Sequence, residues 1–126
     1  MSALDLATRR CTECVAGALP LDEAHAAEMH RQIDAGWERE TNRGIRRVFT
    51  FTNFREPFAL ATQIALLAES QGHHPELEVG WGKLVVTFTT HAAGGLTESD
   101  FIMAAKVDGF APAPNVVEGI GAGGSE

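Results

Sequence analysis

Three of the five histidines in this 126-residue chain fall in one short stretch: His73 and His74, directly ahead of Pro75, and then His91. Imidazole is the one side chain that gives and takes a proton near neutral pH without help from its surroundings. A lone histidine is more often structural or simply exposed. Three of them around one recess would suit general acid/base chemistry on a small molecule. Whether they meet depends on the elements that carry them.

The chain reads as an alternation of helices and strand pairs. A first helix is predicted from about Asp22 to Ala35, with Asp22 as N-cap and Ala26, Met29 and Ile33 on one face, stopped by Gly36. Trp37 to Thr41 reads as a short strand. Asn42-Arg43-Gly44 follows as a turn, with Gly44 suited to a positive φ, and Ile45 to Phe51 as a second strand. Asn53 to Glu56 resembles a capping box that opens the main helix, with Pro57 in its first turn. Phe54, Phe58, Ala61, Ala65 and Ala68 line one face of that helix, widened by Leu60, Ile64 and Leu67, and Gly72 is its natural C-cap. His73 and His74 thus stand just past a helix end. Leu77, Val79 and Trp81 alternate in a third strand, and Lys83 to His91 is the strongest strand signal. Thr97 to Asp100 is a second capping box, opening a helix through about Val107 that Gly109 closes. This order predicts an α+β layer with an antiparallel sheet. In such a layer His73 and His74 at a helix end and His91 at a strand end can reach one sheet edge.

The composition is that of a single ordinary domain: 44% apolar, 21% charged, net charge −7. Nucleic acid is excluded as an expected ligand, because no compact basic patch offsets the acidic balance. The densest basic cluster, Arg43, Arg46 and Arg47, reads as a solvated hairpin face. No apolar run approaches the roughly 20 residues of a membrane helix, and residues 1–10 lack the apolar block of a signal peptide, so no membrane association and a cytoplasmic location are expected. Cys11 and Cys14 form one C-x-x-C in an arm over residues 1–20. With no second cysteine pair to complete a zinc site, free thiols are the expectation, and no metal is assigned. His25 and His30 are five apart on the first helix and read as solvated. The domain proper is taken as 21–110, with a Gly/Ala/Pro-rich tail over 111–126 read as mobile.

Glu69 to Pro75, Trp81 to Lys83, Thr89 to His91, Gly95-Leu96 and Asp100 to Ala105, taken together, resemble the pterin-4a-carbinolamine dehydratase family, in particular its bacterial branch. The likeness spans roughly residues 9 to 110. It implies a four-stranded antiparallel sheet with helices packed on one face, homodimers that pair into homotetramers, and no metal or organic cofactor. It implies dehydration of a 4a-hydroxytetrahydropterin, a reduced pterin, to the quinonoid dihydropterin in tetrahydrobiopterin recycling. A functional link to an aromatic amino acid hydroxylase comes with it. By the same likeness His73 and His91 are the acid/base pair, and His74 binds and orients the pterin. Glu69, Gly72, Pro75, Thr89 and Thr90 belong to the substrate-binding set. Asp100 either positions His91 or serves only its capping box. Trp37 and Trp81 either wall the pocket or pack in the core or an interface. Other family members serve as protein-binding modules: dimerisation cofactors, or assembly factors for a carbon-fixing enzyme. Binding a partner does not need the histidines, and this chain keeps all three. A dehydratase-like protein acting on another pterin is the remaining alternative.

Overall fold

A computed structural model describes residues 6–9, 19–40 and 43–110. Helix α1 spans Glu23–His30, strands β1 and β2 span Glu38–Glu40 and Gly44–Thr50, and helix α2 spans Arg55–Gln71. Strands β3 and β4 span Glu76–Gly80 and Lys83–Phe88, a short 3-10 turn covers His91–Ala93, and helix α3 spans Glu98–Phe110. The four strands form one antiparallel sheet in the order β1-β2-β4-β3, the α+β architecture the sequence predicts. Cys11, Cys14 and the tail over 111–126 lie outside the described residues.

Alternation along the central strands puts one face of the sheet against the helices. Ile45 and Phe49 of β2 and Leu84, Val86 and Phe88 of β4 are buried there. They pack against Leu60, Ala61, Ile64 and Ala68 of α2 and Phe101, Ile102 and Ala105 of α3. Burying one such side chain fully is worth about 1.5–3 kcal/mol, so this layer dominates the stability of the domain. Arg47 shares the parity of these residues and is not the solvated cation expected from the sequence. Its guanidinium lies 4.4 Å from the centroid of the Phe49 ring and pairs with Asp108 at 2.5 Å, so the charge at a core-side position is matched where it sits.

The first two of the three predicted helix starts show their caps here. Asp22 Oδ1 accepts from the His25 amide at 2.8 Å, and Asn53 Oδ1 accepts from the Glu56 amide at 2.8 Å. Gly72 caps α2 in the left-handed region at φ 69°, with its own amide bonded to the Ala68 carbonyl.

Several boundaries differ from expectation, each for a local reason. Helix α1 ends at His30 rather than Ala35. The Asp34 side chain accepts from the Gly36 amide at 2.8 Å while its own amide donates to Asp108 Oδ2 at 3.0 Å, which draws the chain out of helical register. Gly44 has no positive φ. It lies in β2, where a Cβ would stand 3.2 Å from the Phe88 carbonyl oxygen, so close strand approach is what suits glycine there. Gly109 does not close α3, which continues to Phe110. On α2 the buried face is centred on Pro57, Leu60, Ala61, Ile64 and Ala68, while Phe54, Phe58 and Ala65 are exposed. His30 is half-buried, its Nε2 bonded to the Trp37 carbonyl at 2.6 Å, while His25 is exposed as expected. Leu6, in the stretch read as an arm, is fully buried in the core, and the Ala7 carbonyl accepts from Lys106 Nζ at 2.7 Å. No helix among the described residues is long and apolar enough to cross a membrane.

Candidate functional site

Strand β4 stops at Phe88, three residues short of the predicted end. Thr90 instead bridges to Gly95, and the chain between them folds into the 3-10 turn that begins at His91. Gly94, at φ 79°, closes this turn in the left-handed region. His91 is therefore presented from a tight turn, beside the end of α2. A cleft of about 240 Å³ lies between them, lined by Gly72, His73, His74, Thr89, Thr90, His91 and Ala92. All three histidines meet there.

Each histidine is held differently. His73 is buried, and its Nε2 lies 2.6 Å from Oδ1 of Asp100, a fully buried carboxylate. An ionised carboxylate only accepts, so Nε2–H donates and Nδ1 is the ring's other site for a proton. The His73 ring is stacked on Phe88 at 6.0 Å between centroids, 9° from parallel, and the hydrogen bond and the stack together set its plane. Phe88 in turn packs on Trp37 at 5.9 Å. Asp100 Oδ2 accepts from Thr90 Oγ1 at 2.8 Å and from the Thr97 amide at 2.9 Å. The carboxylate of the capping box thus does two jobs: it closes the start of α3 and anchors His73. Of the two roles expected for Asp100, the capping role is present, but the histidine it positions is His73 and not His91.

His74 is exposed, its Nε2 3.0 Å from Glu69 Oε1, one turn back on α2. In water this pair is worth little as stability, about 0–1 kcal/mol, so its effect is to orient the ring at the cleft mouth. His91 is exposed, and among the described residues nothing hydrogen-bonds its ring. The cleft thus joins a carboxylate-bound imidazole to an exposed imidazole across a small space. That arrangement can move one proton onto a bound molecule and another off it.

The remaining predicted residues divide. Thr89 and Thr90 line the cleft, but their hydroxyls are engaged in the scaffold: Thr90 with Asp100 and Thr97, Thr89 with the Arg43 carbonyl. Pro75 lies outside the lining, ahead of β3, and Glu69 reaches it only through His74. Trp37 is core: it is buried, and its Nε1 donates to Asp108 at 2.8 Å. Trp81 is neither strand nor core. It is 63% exposed in the β3–β4 turn, separated from His91 by the length of β4, about 17 Å at roughly 3.4 Å per residue. Gly82, at φ 76°, makes that tight turn possible. Sequence reasoning missed Phe88 and Thr97 as parts of the site. Phe88 carried a signal, since its inward parity on β4 places it under any group at that strand's end. Among the described residues no group of three or more His, Cys, Asp or Glu is arranged to hold a metal.

Comparison with known proteins identifies a family and a fold. The profile of the pterin 4 alpha carbinolamine dehydratase family matches residues 19–110. A protein of Nitrosomonas eutropha, provisionally named a pterin-4-alpha-carbinolamine dehydratase, is 42% identical over 104 residues, covering 82% of this chain and 91% of its own. One of Rubrobacter xylanophilus with the same provisional name is 43% identical over 104 residues, covering 82% of this chain and 96% of its own. A crystal structure from Brucella melitensis, described as a transcriptional coactivator/pterin dehydratase, superposes with a TM-score of 0.68 at 36% identity, covering 74% of this chain and 99% of that one.

Proposed function

Because this chain belongs to the pterin 4 alpha carbinolamine dehydratase family, we propose that it is an enzyme that removes water from a 4a-hydroxytetrahydropterin to give the quinonoid dihydropterin. The observation that supports the reading is the cleft itself, where His73, held by a buried carboxylate, lines the same space as the exposed His91.

Hydroxide is a poor leaving group, so the 4a-oxygen must receive a proton as the C4a–O bond breaks. The N5–H bond gives up its proton, its electron pair forms the N5=C4a double bond, and water departs. His91, open to the cleft, is the acid that protonates the oxygen. His73 is the base that takes the N5 proton at Nδ1, with Asp100 holding Nε2–H and stabilising the imidazolium that forms. His74, steadied by Glu69, binds the pterin edge. The two groups are matched to a modest task, since positioned acid/base groups contribute about 10²- to 10⁴-fold. Two further elements rest on the family likeness: assembly into homodimers or homotetramers, and supply of the carbinolamine by an aromatic amino acid hydroxylase, which a neighbouring hydroxylase gene would support. The exposed Phe54, just ahead of α2, with Phe58 and Leu66 on it, offers apolar surface for the assembly.

The test is the decay of freshly generated 4a-hydroxytetrahydropterin, followed by ultraviolet absorbance with catalytic amounts of the protein. The expected result is an acceleration that disappears in a His73→Ala/His91→Ala double variant. A folded wild-type protein that leaves the decay rate unchanged would overturn the proposal.

A further inference from the structure

Thr90 stands at the joint between the two histidines assigned as base and acid. Its backbone serves the acid. The Thr90 carbonyl accepts from the amides of Ala93 and Gly94, both at 3.1 Å, and of Gly95 at 3.3 Å. Those bonds close the 3-10 turn that presents His91. Its side chain serves the base. Thr90 Oγ1 lies 2.8 Å from Asp100 Oδ2, and Asp100 Oδ1 lies 2.6 Å from His73 Nε2. Thr97 Oγ1 approaches the Thr90 hydroxyl at 2.8 Å. None of these four side chains belongs to a residue more than 4% exposed, so bulk water does not compete for the bonds.

The direction of each bond follows from the donors available. A carboxylate only accepts, so the single hydroxyl proton of Thr90 goes to Asp100 Oδ2. Thr90 Oγ1 then offers only lone pairs to Thr97, whose hydroxyl must be the donor. The bonds therefore run one way, from Thr97 to Thr90 to Asp100, while His73 donates to the other carboxylate oxygen. Bonds linked in this order polarise one another. The Thr97 amide also holds Oδ2, at 2.9 Å. Held by that amide alone, the carboxylate could turn about its own bond. A second donor from the end of β4 stops the turn and keeps Oδ1 aimed at His73. We propose that Thr90 is a positioning residue for the dehydration: its hydroxyl fixes the base through Asp100, its carbonyl fixes the turn that carries the acid, and the Thr97 hydroxyl acts only through it. The words base and acid rest on the dehydratase reading. The hydrogen-bond chain is independent of it.

The experiment compares Thr90→Val, Thr90→Ser, Thr97→Val and the Thr90→Val/Thr97→Val pair in the full chain. Valine keeps nearly the shape of threonine without the hydroxyl, and the Thr97 amide still caps α3 in every variant. Stopped-flow absorbance measures turnover of 4a-hydroxytetrahydropterin. Nuclear magnetic resonance, with no substrate present, measures solvent exchange of the His73 Nε2–H. Thr90→Val should lower kcat roughly tenfold with little change in KM, and speed the exchange by a similar factor, as loss of one hydrogen bond to a charged group implies. Thr90→Ser should restore both. Thr97→Val removes a bond between neutral groups and should cost about threefold alone, and nothing further beside Thr90→Val. Wild-type kcat and exchange in Thr90→Val, no rescue by serine, or a Thr97→Val effect that persists undiminished in the pair would overturn the proposal. Should Thr90→Val not fold, Thr97→Val decides: unchanged Nε2–H exchange would overturn it. If no carbinolamine is accelerated but the exchange rates rank as stated, the hydrogen-bond chain stands and the dehydratase reading fails.

Discussion

Replacing Asp100 by asparagine separates the two jobs of that side chain. The carboxylate accepts from His73 Nε2 at 2.6 Å on one oxygen, and from Thr90 Oγ1 at 2.8 Å and the Thr97 amide at 2.9 Å on the other. Asparagine offers one carbonyl and one NH₂. The carbonyl serves the side with two donors, which keeps the helix cap, and the NH₂ then faces Nε2. Two donors cannot share that contact, so His73 must move its proton to Nδ1. The loss of one hydrogen bond to a charged group costs about 1.5–3 kcal/mol, which a domain with about 5–15 kcal/mol of stability survives. The catalytic loss is larger, because Nδ1 now holds a proton where the reaction needs a vacancy. A fall in kcat of about 10²-fold is expected, from the usual contribution of one positioned base. Alanine is the control for structure. It forfeits the cap, worth about 1 kcal/mol, and strands two buried donors at about 1–3 kcal/mol each, so that variant should be close to unfolding. Urea titration measures the stabilities, stopped-flow absorbance the turnover, and ¹⁵N shifts of the His73 ring report its tautomer. An Asp100→Asn protein that turns over like the wild type while its His73 tautomer has switched would refute the assignment of His73 as base.

Burial pushes the Asp108 carboxyl above its ordinary range, outweighing the donors from Asp34 and Trp37 and the charge of Arg47. The folded chain then holds this proton more tightly than the unfolded one. Its contribution to stability is fully present below the unfolded value near 3.8 and is lost as pH rises through the higher folded value. The stability deficit of Asp108→Asn should therefore be largest in acid and shrink towards neutrality in a pH series of urea titrations, and a deficit that grows with pH would mean that the Arg47 pair dominates instead. For the assembly, light scattering on the wild type should give a dimer or tetramer, and Phe58→Glu/Leu66→Glu should shift it towards monomer with unchanged circular dichroism. A wild-type monomer at micromolar concentration would refute self-association.

The architecture was legible because it rests on local rules. Asp22, Asn53 and Gly72 mark helix ends through hydrogen bonds and a left-handed backbone that act within a few residues. The alternation Leu84, Val86, Phe88 marks the central strand for the same reason. The presence of the three histidines and of Asp100 was equally plain, since residue type and spacing are one-dimensional facts. Which imidazole Asp100 would hold was not. His91 is the nearer of the two along the chain, and only tertiary packing brings Asp100 to His73, 27 residues away. Periodicity also misplaced the face of α2: Phe54 and Phe58 lie at helical spacing, yet the helix meets β3 and β4 through a face on which burial centres on Leu60, Ile64 and Ala68. Trp81 failed likewise, because strand parity says nothing about which end of a hairpin meets the site. The sequence by itself determined the elements, their caps and the inventory of proton carriers. The tertiary structure decided which of those carriers is anchored and which is open to the cleft, because a hydrogen bond between distant residues depends on packing that no local pattern encodes.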